Sequence, residues 1–211
     1  MSFQTDLFHS FPIVGILRGC ADDLISPLTT ACADAGLANL EITMNTPNAT
    51  GQIRAATVAA NGRMNIGAGT VTSAELLDKA LEAGASYIIT PDVNLEVMEL
   101  CLEHNVPVFP GAFTPTEIHQ AWQLGAFAVK LFPANVLGPE FVKSLRGPFA
   151  DIPLMATGGV GLENIEDYLK AGTNAFGIGS PLFQKDRIES KDWDWMSGQI
   201  REFRGFFPAN S

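Results

Sequence analysis

Apolar and polar positions follow one local pattern four times along this chain: a helical stretch ends at a glycine, and a short apolar run follows it. The four segments span residues 34–41, 82–89, 123–130 and 170–177, with glycines at 36, 84, 125 and 172. Glycine just past a helix end is typical of the left-handed backbone conformation that terminates helices. The pattern therefore predicts four helix–turn–strand units.

Four further apolar runs lie between these units, at residues 12–17, 64–67, 107–109 and 152–156. Together they predict eight strands, each followed by a helix, at a spacing of roughly twenty to twenty-seven residues that suits a βα unit. Eight such units in about 200 residues predict an α/β fold of the compact (β/α)₈ TIM-barrel type. A doubly wound open sheet is the alternative, but it would usually not reach eight regular repeats in this length.

Both ends of the chain carry aromatic residues that suggest accessory helices. We expect residues 3–11 to form a short helix that plugs the bottom of the barrel, and a C-terminal helix to be fixed by Trp193, Trp195, Phe203, Phe206 and Phe207. The length favours a single domain over residues 1–211, with the barrel at about 12–183 and a helical extension at about 186–211.

Composition narrows the class of protein and its partners. The 211 residues are 46% hydrophobic and 17% charged, which is typical of a globular protein. No apolar run approaches the ~18 residues of a membrane span, and the N-terminus lacks the basic flank of a signal peptide. The net charge of −10 argues against a nucleic-acid partner. Cys20, Cys32 and Cys101 are widely spaced, as expected of reduced thiols, so we expect a cytoplasmic protein without a membrane partner.

Two charged residues occupy equivalent places in the repeated pattern. The fifth residue after each of the four glycines is Glu41, Ile89, Lys130 and Gly177. Inward side chains at one height of such a barrel come from alternate strands, so a shared register would place Glu41 and Lys130 together in the interior, with space beside Gly177. The alternative is that both charges face solvent at strand ends, as most charged residues do.

Polar residues and turn formers collect where the predicted strands end, at the face where barrel enzymes assemble their sites. They are Arg18, Glu41, Gly69 with Thr70, Thr90 with Pro91, Pro110 with Gly111, Lys130, Thr157 with Gly158 and Gly159, and Gly179 with Ser180. Glycine, threonine and proline are also ordinary turn residues. Glycines after the seventh and eighth strands, however, are typical of a phosphate site in this fold, and Pro181 suits the first position of a short helix there.

Lys130 then has a chemical rationale. Apolar surroundings disfavour the ammonium form and lower the pKa of a lysine, and the neutral amine can attack a ketone to form a Schiff base. Glu41 is the candidate general acid and base, and Arg18 could hold a carboxylate or form an ion pair at the barrel mouth. His9, His104 and His119 are scattered without metal-ligand spacing, so we expect neither a metal nor another cofactor.

These residues lie in motifs that resemble those of the 2-keto-3-deoxy-6-phosphogluconate (KDPG) aldolases, from about residue 8 to about residue 183. The motifs are ILRG at 16–19, EITMNT at 41–46, GAGTV at 67–71, PG at 110–111, TPTE at 114–117, KLFPA at 130–134, GPF at 147–149 and TGGV at 157–160. The resemblance implies a metal-free class I aldolase, a homotrimer of (β/α)₈ barrels, which cleaves KDPG to pyruvate and glyceraldehyde 3-phosphate.

The resemblance also implies roles for individual residues. It makes Lys130 the Schiff-base lysine and Glu41 the general acid/base. Arg18 and Thr70 would lie near the pyruvate carboxylate, Phe132 would form a wall of the pyruvyl pocket, and Thr157 would contact the C4 hydroxyl. The phosphate would be held by Gly158, Gly159, Gly179 and Ser180, and Pro91 and Asn45 complete the expected substrate-binding set.

One position departs from the pattern of many KDPG aldolases, which have arginine where this chain has Asn45. Asn45 and the ILRG motif resemble the 2-keto-3-deoxy-6-phosphogalactonate branch, in which Arg18 could replace the missing cation. Thr157 resembles the gluconate branch, and because a matched polar contact discriminates C4 epimers better than shape does, we favour the gluconate substrate. Cleavage of 4-hydroxy-2-oxoglutarate is a further alternative.

Two other classes of protein would suit the same barrel. A phosphosugar isomerase or epimerase would need the phosphate loops and an acid/base pair but no nucleophilic amine. A non-catalytic binding barrel would retain ligand affinity without turnover. The requirement for Lys130 distinguishes the aldolase from both.

Overall fold

The computed structural model describes residues 2–207, which form nine parallel strands and ten helices. The strands are β1 (Ile13–Leu17), β2 (Asn39–Thr43), β3 (Asn65–Gly69), β4 (Ile88–Ile89), β5 (Val108–Phe109), β6 (Gly111–Ala112), β7 (Val129–Leu131), β8 (Leu154–Thr157) and β9 (Ala175–Ile178). The helices are α1 (Thr5–Ser10), α2 (Asp22–Asp34), α3 (Ala49–Ala60), α4 (Ala74–Glu82), α5 (Leu95–Glu103), α6 (Pro115–Gln123), α7 (Ala134–Leu145), α8 (Ile165–Lys170), α9 (Lys185–Glu189) and α10 (Trp193–Arg204).

The fifth and sixth strands are two halves of one barrel strand that is interrupted at Pro110. The order in the sheet is β5-β4-β3-β2-β1-β9-β8-β7-β6, so these two halves lie at its two ends. Thr90 N–H, next to β4, donates to Phe109 O (3.2 Å), while Lys130 N–H on β7 donates to Pro110 O (2.9 Å). The same chain segment thus closes the sheet into a barrel. The predicted (β/α)₈ fold is confirmed, and the open-sheet alternative is wrong.

The four glycines that marked the repeated units all end helices in the left-handed conformation. Their φ angles lie between 87° and 100° at Gly36, Gly84, Gly125 and Gly172. At Gly36, for example, the amide donates to Ala33 O at 3.1 Å and the next amide donates to Cys32 O at 3.0 Å. Each glycine therefore satisfies the last carbonyls of a helix and directs the chain into a buried strand.

Apolar side chains form one cluster between the barrel and its helices and a second cluster inside the barrel. The inner cluster consists of Phe8, Val14, Tyr87, Ile89, Phe109, Ala128, Met155 and Ala175. Helix α1 closes the bottom, as predicted: Phe3 meets Phe127 edge-on at 5.3 Å, and Phe8 is buried. The bottom is therefore filled, by these rings and by the buried side chains of Asn39 and Asn65, in which Asn65 Nδ2 donates to Asn39 Oδ1 at 2.9 Å.

The predicted C-terminal helix is α10, whose Phe203 is buried against the barrel. Beyond it, the Phe207 ring contacts Phe11 and Phe176 with centroids 5.6 and 6.1 Å apart. The expected extension ran to residue 211, and residues 208–211 lie outside the described part of the chain. Within residues 2–207, none of the helices is long and apolar enough to span a bilayer.

The short helix expected to begin at Pro181 is a single turn. Leu182 and Phe183 amides both donate to Gly179 O, at 2.9 and 3.0 Å, and the next helix begins only at Lys185. The Phe183 ring packs directly on the backbone of Gly15, where an added Cβ would come within 2.9 Å of it. Burial of this ring turns the chain inward and prevents a continuous helix.

Candidate active site

Lys130 lies at the centre of β7 and points into the barrel with an ammonium group that is almost removed from water. Its neighbours in register are Gly111 on β6 and Met155 on β8, and the residue is 7% exposed. Burial lowers the pKa of Lys130, and the nearby charge of Arg18 lowers it further, while the charge of Glu41 opposes both. The Phe132 ring lies 4.7 Å from Nζ. The environment therefore favours a neutral, nucleophilic amine.

Glu41 lies on β2, paired in register with Ile16 and Gly67, and is 2% exposed. The Oε1 atom occupies the space where a side chain at Gly69 would begin, so a glycine is required at that position. Burial raises the pKa of the Glu41 carboxyl to about 7, and the charges of Lys130 and Arg18 limit the rise. A carboxyl group with such a pKa can both accept and donate a proton near neutral pH.

The structure thus brings Glu41 and Lys130 together in the barrel interior, as their shared place in the repeated pattern predicted. Each alters the pKa of the other, which shows that the two side chains interact across the barrel. Two effects oppose each other at both groups. Burial disfavours the charged form of each side chain, while the attraction between the two charges favours it. The two groups therefore influence each other's protonation, which suits acid–base chemistry at a bound carbonyl.

Arg18 lies at the rim, directly after β1, and donates to Thr70 Oγ1 at 3.4 Å. The loop carrying it is fixed from β2, because Gly19 N–H donates to Thr46 Oγ1 at 3.0 Å and Thr46 in turn contacts Thr43 Oγ1 at 3.1 Å. The Arg18 guanidinium is exposed but close enough to act on the pKa values of the central pair. It can therefore hold an anionic group near the amine.

Thr157 ends β8 with a buried hydroxyl that has no partner among residues 2–207. The residue is 4% exposed, and Oγ1 makes no hydrogen bond. On the neighbouring strand Gly177 makes room for this hydroxyl, since an added Cβ would lie 2.5 Å from Thr157 Oγ1. A buried hydroxyl without a partner costs about 1–3 kcal/mol, so this one is suited to a ligand hydroxyl.

The glycine loops expected to bind phosphate flank the same face. Gly158 and Gly159 have φ angles of 94° and 71°, and a side chain at Gly159 would collide with Asn135. Within residues 2–207 the N–H groups of Gly159 and Ser180 donate to no acceptor, which leaves them available to an anion.

A cavity of about 660 Å³ opens over the ends of β1 and β9, and Arg18, Gly179 and Ser180 contribute to its wall. Lys130 and Glu41 are buried within the barrel and do not line it. Its lining includes Leu24 on α2 and Ile188 and Glu189 on α9, so the cavity lies beside the glycine loop that follows β9 and not over the buried pair.

The remaining predicted residues lie at the rim. Asn45 is exposed in the turn after β2, and Pro91 is half-buried after β4 with its carbonyl against the backbone of Gly111. The Phe132 ring is 39% exposed although it covers Lys130. Groups of three His, Cys, Asp or Glu side chains able to hold a metal are absent from residues 2–207.

One interior residue received no role from the sequence. Tyr87 precedes β4, is completely buried, and has a hydroxyl without a partner among the described residues. The signal that could have identified it is the alternation of the strand, because Tyr87 lies two residues before the inward-facing Ile89.

An amine and a carboxyl group buried together at the carboxyl end of a (β/α)₈ barrel are the arrangement of an enzyme that works through a Schiff base. The family model "KDPG and KHG aldolase" matches residues 5–198. The chain belongs to this aldolase family, and membership favours lyase chemistry over the isomerase and binding-barrel alternatives.

Curated relatives fall in two branches. The chain is 38% identical over 183 residues to the 2-dehydro-3-deoxy-phosphogluconate aldolase of Haemophilus influenzae, covering 86% of this chain and 85% of that one. It is 36% identical over 205 residues to the 2-dehydro-3-deoxy-6-phosphogalactonate aldolase of Escherichia coli, covering 97% and 98%. The chain is thus about equally similar to a gluconate and a galactonate enzyme.

Solved structures agree with the fold. A structure described as native KDPGal superposes with a TM-score of 0.88 at 32% identity, covering 98% of this chain and 97% of that one. The KDPG aldolase of Legionella pneumophila, with pyruvate captured as a covalent carbinolamine intermediate, superposes with a TM-score of 0.85 at 25% identity, covering 92% and 94%. The fold and the class of chemistry are therefore shared with enzymes that bind pyruvate covalently.

Proposed function

We propose that this protein is a class I aldolase that cleaves KDPG to pyruvate and glyceraldehyde 3-phosphate, with Lys130 as the Schiff-base lysine and Glu41 as the general acid/base. The observation that carries the proposal is the buried Lys130 amine, which has a lowered pKa and a carboxyl group within electrostatic reach. Family membership supports the same chemistry.

The first half of the reaction forms the Schiff base. The neutral Lys130 amine attacks the C2 ketone of the substrate, the carbonyl oxygen takes up a proton, and a carbinolamine results. The Glu41 carboxylic acid then protonates the C2 hydroxyl, which leaves as water. The product is a protonated imine on Lys130 and a Glu41 carboxylate. Glu41 has thus given up the proton that it held, and its carboxylate is ready to act as the base in bond cleavage.

The second half breaks the carbon–carbon bond. The Glu41 carboxylate removes the proton of the C4 hydroxyl, the C3–C4 bond breaks, and its electron pair moves to the imine nitrogen. Glyceraldehyde 3-phosphate leaves, and an enamine of pyruvate remains on Lys130. Glu41 returns the proton to C3, and addition of water to the resulting imine releases pyruvate and the free amine. A carboxyl pKa of about 7 suits Glu41 to both directions of transfer.

The rim residues are proposed to hold the two anionic ends of the substrate. Arg18 and Thr70 bind the carboxylate, supported by their hydrogen bond and by the effect of Arg18 on the pKa of Lys130. Phe132 covers the reacting carbon, and Pro91 and Asn45 complete the wall. The phosphate contacts the loop residues Gly158, Gly159, Gly179 and Ser180, where free N–H groups favour an anion.

Trapping with pyruvate and borohydride tests the proposal directly. Borohydride reduces an imine to a stable amine, so we expect a pyruvyl adduct on the peptide that carries Lys130, detected by mass spectrometry of the digested protein. Acetate plus borohydride is the matched control, because it offers the carboxylate but no ketone and should give no adduct. A folded protein that binds phosphate esters but yields no pyruvyl adduct would contradict the Schiff-base mechanism.

The substrate epimer is the finer question, and Thr157 favours the gluconate form. Its unpaired buried hydroxyl offers a hydrogen bond to a C4 hydroxyl of one configuration. We therefore expect a higher kcat/KM for the gluconate than for the galactonate epimer, and Thr157→Val to reduce the ratio of the two by roughly tenfold through loss of one hydrogen bond. Equal reduction of both rates would assign Thr157 a purely structural role.

Two alternative substrates have specific support. Exposed Asn45 and Arg18 at the rim, together with the 36% identity to the E. coli galactonate enzyme over nearly the whole chain, favour 2-keto-3-deoxy-6-phosphogalactonate. The family description also includes KHG, so 4-hydroxy-2-oxoglutarate is the second alternative. Comparison of kcat/KM for all three substrates with one enzyme preparation decides among them.

The wider expectations remain part of the proposal. We propose a single aldolase domain over residues 1–211 that acts as a cytoplasmic homotrimer, without nucleic-acid or membrane partners. Free thiols at Cys20, Cys32 and Cys101 support a reducing compartment. Exposed apolar side chains on and near α5 and α6, namely Leu95, Leu102, Phe113 and Trp122, offer surface for subunit contacts.

A further inference from the structure

The interior of the barrel contains a tyrosine directly beneath the acid/base carboxyl. Tyr87 is 0% exposed, and the end of its ring packs on the backbone of Gly67, whose register partner on β2 is Glu41. Phe3 and Phe109 meet the ring edge-on, with centroids 5.6 and 5.7 Å away. The ring is therefore fixed among aromatic neighbours, with its polar end towards β2 and β3.

The Tyr87 hydroxyl contributes nothing to this apolar packing, because phenylalanine would fill the same space. A buried hydroxyl without a partner costs about 1–3 kcal/mol. Among residues 2–207, neither Tyr87 Oη nor Glu41 Oε2 has a hydrogen-bond partner. The two atoms do not bond each other directly, but one water molecule between these neighbouring side chains would satisfy both.

Electrostatics connect the same two groups. Burial raises the pKa of the Tyr87 phenol well above its ordinary value, and the Glu41 charge raises it further. Tyr87 therefore stays protonated at any working pH and can donate to an ionised Glu41. A hydrogen bond to a charged acceptor is roughly twice as strong as one between neutral groups, so this donor favours the carboxylate form.

We propose that Tyr87 is a positioning residue for the aldolase reaction, whose hydroxyl donates to the Glu41 carboxylate across one water molecule. In this role it opposes the effect of burial and keeps the carboxylate accessible near neutral pH. The inference rests on the proposed function, because it assigns a task to the base of that reaction. The other charged groups that face Glu41 are Lys130 on β7 and Arg18 after β1.

The variant Tyr87→Phe tests the inference through the pH profile of cleavage. Loss of the donor destabilises the carboxylate, so we expect the midpoint of the acid limb of kcat/KM to rise by about one pH unit. At a pH one unit below the parent's midpoint, kcat/KM of Tyr87→Phe should be severalfold to tenfold lower than that of the parent protein. At a pH well above the midpoint, the two kcat/KM values should agree within about twofold. A purely structural role would lower the rate equally at every pH.

Tyr168→Phe is the matched control, since it removes the only other tyrosine hydroxyl of the chain. Tyr168 Oη donates to Ala134 O at 2.9 Å and does not act on the pKa of Glu41, so the midpoint should stay in place. Both variants remove one oxygen atom, and thermal unfolding verifies that each is folded.

A second measurement does not depend on turnover. The carboxyl carbon of Glu41, assigned in ¹³C spectra by its absence in Glu41→Gln, should titrate at higher pH in Tyr87→Phe than in the parent protein. Superimposable titrations and pH profiles would overturn the role of Tyr87. If the parent protein lacked aldolase activity, the proposed function would fail, while the titration would still report on the contact between Tyr87 and Glu41.

Discussion

Replacement of Lys130 with methionine is expected to abolish aldol cleavage, with kcat lowered by at least about 10⁴-fold, because the nucleophile that forms the covalent intermediate is removed. Pyruvate and borohydride should give no adduct with this variant. The measurement is the release of pyruvate from KDPG, followed with a coupled dehydrogenase, together with mass spectrometry after trapping.

The folded structure should tolerate this change. Methionine has nearly the length of the lysine stem and suits the apolar wall of β7, and loss of the ammonium raises the pKa of Glu41 above its value of about 7. Glu41 then stays protonated at neutral pH and no unpaired charge is buried, so we expect a free energy of unfolding within about 1 kcal/mol of the parent. Lys143→Met on the exposed face of α7 is the matched control and should keep full activity. Full cleavage by the Lys130 variant would disprove the Schiff-base mechanism at this lysine.

The architecture could be predicted because it depends on local rules that repeat. A glycine with positive φ ends a helix, an apolar run begins a buried strand, and eight repetitions in one short chain leave few folds to consider. The proximity of Glu41 and Lys130 followed from the same periodicity, since equivalent positions in alternate strands face one interior layer. Both inferences needed only the order and spacing of residues.

What could not be predicted depends on distances between strands. Glycine is required at position 69 by the Glu41 side chain on the neighbouring strand. Tyr87 and Glu41 both lie against β3, at Gly67 and Gly69, and a one-dimensional pattern specifies neither arrangement. The helix expected at Pro181 is a turn because the Phe183 ring packs on Gly15, more than 160 residues away along the chain. Such contacts override local propensity at the places where the site is built.

Glu41→Gln is expected to lower kcat for KDPG cleavage by about 10²–10⁴-fold while leaving Lys130 able to form an adduct with pyruvate. The amide has the shape of the carboxyl group and fits the space left by Gly69, but it cannot accept the C4 proton or return it to C3. Steady-state cleavage and borohydride trapping, measured on the same preparation, separate the two effects. The small remaining activity should no longer show a titration near pH 7.

The electrostatics of the pair explain why the adduct should survive this substitution. The Glu41 charge raises the pKa of Lys130 against the effect of burial, so its removal lowers the lysine pKa further and increases the fraction of neutral amine at neutral pH. Attack on the pyruvate ketone is therefore not impaired by the loss of charge, although dehydration of the carbinolamine, which needs an acid, should become slower. If Glu41→Gln loses cleavage alone, the proton transfers are assigned to Glu41. If the variant loses the adduct as well, Glu41 acts mainly by holding Lys130 in place.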